Sequence, residues 1–152
     1  MLLKLSFICF ISTFGFGIVF NIRGKKLFYA ALGGGISWFF YSLPLQYGFS
    51  EVASLFISSI IFSTYSEIMA RVHKTPVTTF IICALLPLVP GSGMYYTMQA
   101  VVNGDISKSI RLGLNTIAFA GTLALGVIFV STITSVIVRT KHKKLRKRFW
   151  QN

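Results

Sequence analysis

Five long apolar runs dominate the sequence, at about Leu2 to Ile22, Leu27 to Leu45, Glu51 to Ala70, Val77 to Val89 and Ile110 to Val138. A straight helix needs about 20 predominantly apolar residues to cross the hydrocarbon core of a bilayer, and the first three runs meet that length. The fourth is short. The fifth is long, an excess that tilting or extension past the headgroups absorbs. With 54% hydrophobic and only 12% charged residues, the chain is too apolar for an ordinary soluble domain. The expected fold is all-α, a polytopic integral membrane protein of about five transmembrane helices over residues 1–138, followed by a basic tail over 139–152.

The fourth run ends in Leu86-Pro-Leu-Val-Pro-Gly-Ser-Gly-Met94, which sets two prolines and two glycines where a helix should still be inside the membrane. Proline removes a backbone donor and clashes with the preceding turn. Backbone freed at membrane depth survives only where protein or an aqueous cavity surrounds it. The spacing therefore predicts a broken or re-entrant element, continued by the aromatic-rich stretch Met94 to Val102. Discontinuous helices of this kind build substrate sites in secondary transporters.

Fifteen lysines and arginines against three acids give a net charge of +12. That balance does not point to nucleic acid, because the basic residues flank apolar runs. Arg23, Lys25 and Lys26 follow the first run, Arg71 and Lys74 the third, and Arg139, Lys141, Lys143, Lys144, Arg146, Lys147 and Arg148 the fifth. Five crossings put all of these on one side and leave Lys4, Lys108 and Arg111 on the other. The positive-inside rule then makes the N-terminus external and the C-terminus cytoplasmic, with the tail against anionic headgroups. The first run has no A-x-A-like cleavage site before Asn21, so it is expected to be a retained helix rather than a signal peptide.

Polar side chains within apolar runs carry whatever chemistry the spans have. Ser59, Ser63 and Glu67 recur every four residues and share one helix face. In a membrane such a face turns toward partners or a cavity. Glu67 is either a proton-coupling or substrate-contacting carboxylate, or half of a pair with Arg71 one turn on that anchors the helix end. Asn115 is a second pathway candidate, with an interhelical hydrogen bond as its structural alternative. Asp105, in Asn103-Gly-Asp-Ile-Ser-Lys, suits a turn or a helix cap, and His73 reads as a solvated loop residue. Stripes such as Ala118, Thr122 and Gly126, Thr13, Gly17 and Asn21, and Ala30 and Gly34 suit close helix packing. Tyr41, Tyr47, Tyr95, Tyr96 and Trp150 fall near expected span ends, as interfacial aromatics do. Cys9 and Cys83 lie in apolar runs with no CxxC or His/Cys spacing, so neither a disulfide framework nor a metal site is expected. No His/Asp constellation or paired acids fall in the spans, which argues against an enzyme; no catalytic residue and no cofactor are assigned.

Three segments in order, Glu67-Ile-Met-Ala-Arg-Val-His-Lys-Thr-Pro76, Leu86-Pro-Leu-Val-Pro-Gly91 with Gly93-Met-Tyr95, and Asn103-Gly-Asp105, resemble the small-subunit type of the threonine/serine exporter family. The opening, Gly15 to Asn21, then a basic loop and a glycine-rich second span, is similar too, so the likeness covers nearly the whole chain. The resemblance implies a component of a secondary exporter in the bacterial inner membrane, equivalent to the C-terminal half of fused exporters. A separate, larger integral-membrane subunit would supply the other half. It also implies export of small polar metabolites, threonine and serine foremost, driven by the proton motive force; some relatives are associated with small dicarboxylates.

The residues agree with a partner half, since few intramembrane polar groups are a thin basis for a complete carrier and many carriers place their site between two halves. The expected substrate pathway comprises Glu67, Pro87, Pro90, Gly91, Ser92, Gly93, Tyr95, Thr97 and Asn115. Freed N–H groups there would meet a substrate carboxylate and freed carbonyls an ammonium. A self-associating channel and a structural membrane subunit are the alternative readings.

Overall fold

The computed structural model describes residues 2–149, with side chains described for 2–138 and for 140. The basic tail's remaining side chains and Trp150 lie outside the described residues. The fold is all-helical: α1 Leu2–Val19, α2 Lys25–Gln46, α3 Glu51–Val72, α4 Thr78–Leu85 with a 3₁₀ turn Leu86–Leu88, α5 Gly91–Val102 and α6 Ile106–Phe149.

Local chemistry sets these boundaries. Ser50 caps α3, its hydroxyl accepting the Ala53 N–H at 3.3 Å, and Glu51 and Arg71 sit at the ends where their charges favour the helix dipole. Asp105 caps α6, its carboxylate accepting the Lys108 N–H at 3.0 Å. The preceding Gly104 has φ +76°, a conformation that glycine adopts without the Cβ penalty.

The helices α1, α2 and α3 run up, down and up. Thr13 meets Gly34 and Leu27 meets Gly17 across the first pair, where an added Cβ would collide. Across the second pair, the Ser58 hydroxyl donates to the Ser37 carbonyl at 2.6 Å and the Tyr65 hydroxyl to the Tyr29 carbonyl at 2.8 Å. Near one end Phe80 and Cys83 of α4 pack with Ala30 and Ala70. Further along, Ala84 and Leu88 pack with Leu55, Phe62 and Leu123. In the absence of a hydrophobic drive between helices in lipid, small residues and interhelical hydrogen bonds of this kind hold a bundle together.

Helix α6 is the longest element, at 44 residues. Gly126 lies directly on Ser59 of α3, and α5 folds back along the first part of α6, with Gly93 against Thr116 and Gly113 against Thr97.

Three helices, Leu2–Val19, Glu51–Val72 and Ile106–Val138, are long and apolar enough to cross a membrane, and α4 with α5 forms a fourth such unit, bent by 53° at the break. The outer surface is correspondingly apolar, with Phe7, Ile8, Ile11, Ile128 and Ile137 all more than half exposed. This is a polytopic membrane protein. Helix α2 is as long as α3, and its Gly33, Gly34 and Ser37 are buried in contacts with α1, α3 and α4.

Candidate functional site: the break between α4 and α5

Pro87 and Pro90 cannot donate, so the carbonyls of Cys83 and Leu86, four residues before them, lose their ordinary helical partners. The Leu86 carbonyl is reached instead by the Val89 N–H at 3.4 Å. Val89 is extended (φ −58°, ψ 128°), and Pro90 starts the turn into α5. The Gly91 N–H turns back to the Val89 carbonyl at 2.7 Å, and the Met94 N–H takes the Pro90 carbonyl at 3.1 Å. The N–H groups of Ser92 and Gly93 are left as open donors in the first turn of α5, as at any uncapped helix start.

The direction of the chain through the break follows from α6. A groove of about 300 Å³ between α4 and α6 sets Ile81, Leu85 and Pro90 against Ala120, Ala124 and Ile128. Just beyond it, Gly93 and Thr97 of α5 face Thr116 and Gly113. Helices α4 and α5 therefore lie beside successive stretches of α6, α4 across the groove and α5 in direct contact, and the contact between α4 and α5 is slight. A re-entrant hairpin would pack its two arms together. The arrangement is instead one continuing path with a bend.

The expected pathway residues divide. Pro87, Pro90, Gly91, Ser92 and Gly93 form the break, with Gly91, Ser92 and Tyr95 exposed. Thr97 spends its hydroxyl on the Gly93 carbonyl at 2.7 Å. Glu67 stands apart. Leu88 packs with Leu55 and Phe62, five to twelve residues before Glu67 on α3, an axial offset of about 8–18 Å at 1.5 Å per residue. The Glu67 carboxylate is buried and accepts from the Arg71 guanidinium at 3.1 Å, which is the geometry of the anchoring pair.

Asn115 makes no interhelical hydrogen bond among the described residues and is exposed, because its neighbour Thr116 occupies the face of α6 that meets α5. His73 is no solvated loop residue either. Its ring lies 4.7 Å from that of Tyr29 and 6.0 Å from that of Phe80, with Nε2 buried.

Sequence reasoning named Ser59 and Ser63 but missed Ser54, Ser58 and Ser66, and with them the bond from Ser58 that ties α3 to α2. Ser54, Ser58, Ser59, Ser63 and Ser66 are all buried with Glu67 on α3, and their number within one apolar helix was the available signal. Most of these hydroxyls return to their own helix, Ser59 to the Phe56 carbonyl and Ser66 to the Phe62 carbonyl, whereas the Ser63 hydroxyl has no partner among the described residues.

A family model described as "Threonine/Serine exporter, ThrE" matches residues 5–133. No solved structure matches the chain.

Proposed function

The chain belongs to the threonine/serine exporter family and is a membrane transport protein, and from that premise we propose that it is the small subunit of a two-component secondary exporter. In this reading a larger integral-membrane partner completes the carrier. The substrates are small polar metabolites, threonine and serine foremost, and the proton motive force drives their exit through the bacterial inner membrane. Five crossings, with α2 included and α4–α5 as one bent span, leave the N-terminus outside and the basic tail in the cytoplasm.

The observation that carries this reading is the uncovered break. Val89 is 44% exposed, and Gly91 and Ser92 are open to the surroundings. Irregular backbone does not face lipid, so what covers this stretch is water, substrate or another polypeptide. A pathway lined by residues 87–93 and closed by a partner supplies all three. The open N–H groups of Ser92 and Gly93, at the positive end of α5, are matched to a carboxylate, and the unclaimed carbonyls before them to an ammonium. Glu67, well away from the break, would couple protons by exchanging its Arg71 partner for a proton.

The test is reconstitution. Companions that copurify from native membranes are identified, and proteoliposomes with and without the larger subunit are loaded with serine or threonine. Efflux that needs both chains and rises with an imposed proton gradient is the expected result. Passive flux through this chain alone would overturn the two-component reading in favour of a channel.

A further inference from the structure

The outer face of α1 and α2 carries a second feature, unconnected with the break. An open groove of about 500 Å³ runs between them, lined by Phe7 and Phe10 of α1 and by Phe28, Leu32, Ile36 and Phe39 of α2 among others. Gly35 allows it: the position a Cβ would take is only 3.3 Å from the Ser6 carbonyl. Along α2 the lining spans residues 28 to 40, about 18 Å at 1.5 Å per residue. One leaflet of a hydrocarbon core some 30 Å thick is about 15 Å deep.

The α2 side of this groove continues into charge. Lys25, Phe28, Leu32, Ile36 and Phe39 follow i, i+3, i+4 spacing and form one stripe, so Lys25 ends the stripe one turn below Phe28. Lys25 and Arg23 are both exposed. Arg23 holds Asn21 with Nε alone, at 3.0 Å, so its terminal nitrogens keep their donors. At the far end Lys4 sits about 100° round α1 from Leu3 and off the lining stripe.

We propose that this groove binds a single anionic phospholipid, its phosphate held by Lys25 and Arg23 and one acyl chain lying along the phenylalanine-lined cleft. A cation at the end of an apolar channel one leaflet deep is complementary to that ligand in both charge and length. The lipid would fill the junction of the first two helices, where packing between side chains is incomplete.

Native mass spectrometry of the full chain, extracted in mild neutral detergent and titrated with phosphatidylglycerol or phosphatidylcholine of identical acyl chains, reads the site directly. One phosphatidylglycerol should be retained in preference to phosphatidylcholine. Lys25→Gln should cut that preference by about fivefold, as expected for one basic residue near a headgroup, by lowering phosphatidylglycerol retention more than phosphatidylcholine retention. Leu32→Trp or Ile36→Trp, filling the cleft, should reduce retention of both lipids. Equal retention of the two by the unaltered chain, or a preference that survives Lys25→Gln, overturns the proposal. So does p-benzoylphenylalanine at position 39 crosslinking in native membranes to a polypeptide instead of a phospholipid.

Discussion

Replacing Gly126 by alanine should destabilise this protein even though helix propensity says the opposite. Alanine is favoured over glycine in a helix by about 1 kcal/mol, and Gly121, five residues earlier on α6, offers the control, since a Cβ there meets nothing within 4 Å. At Gly126 the same methyl would collide with the Ser59 hydroxyl and lie 2.7 Å from the Ser59 Cβ. Carbon atoms prefer about 3.5–4.0 Å, so α3 and α6 must part by about 1 Å. Overpacking of this kind costs about 1–3 kcal/mol. The propensity gain is common to both sites, so Gly126→Ala should be less stable than Gly121→Ala by about 1–3 kcal/mol. Equilibrium unfolding in mixed micelles measures the difference. A second-site test separates the atoms involved: Ser59→Gly should rescue Gly126→Ala, whereas Ser59→Ala, which keeps the Cβ at 2.7 Å, should rescue it only in part. Equal stability of the two glycine variants would refute the close approach of α3 and α6.

Four further outcomes are expected. Gly91 has open space around its would-be Cβ and an ordinary φ, so Gly91→Ala and Ser92→Ala should express and fold normally, and reduced serine or threonine efflux would then belong to the pathway itself; unaltered efflux would return the break to a structural kink. Ser58→Ala loses a 2.6 Å bond to the Ser37 carbonyl and should cost about 0.5–1.5 kcal/mol, while Ser63→Ala, which removes a hydroxyl with no partner among the described residues, should be neutral or stabilising in the same unfolding assay. In a chain without Cys9 and Cys83, a cysteine at position 145 should react with membrane-impermeant reagents only from the cytoplasm, and labelling from outside would reverse the orientation; Glu67→Gln with undiminished transport would leave the Glu67–Arg71 pair as an anchor alone.

The helices were legible because apolar length and proline are backbone-level signals: the interruption at Pro87 to Gly93 and the Asp105 cap lie where spacing put them. Whether the interruption turned back or continued was not legible, since that depends on which part of α6 each arm meets, and Gly93 against Thr116 is a contact between residues 23 apart in the sequence. Periodicity placed Ser59, Ser63 and Glu67 on one face of α3, but the four-residue spacing says nothing about what lies opposite. Only the fold sets Ser59 on Gly126 and keeps Glu67 away from the break. Asn115 shows the converse, because a polar residue inside an apolar run was read as inward-facing and the adjacent Thr116 took that position instead. The serine seam is illegible to any hydropathy profile, since serine is nearly neutral on such scales while its hydroxyl can close a bond to the backbone of its own or a neighbouring helix.

The long α6 has a mechanical corollary. It is held by α5 over residues near 113–116 and by Ser59 of α3 at Gly126, contacts about 15–20 Å apart along its axis at 1.5 Å per residue. A continuous helix carries displacement along its axis, so any shift of α5 would be passed through α6 to its contact with α3 at Gly126.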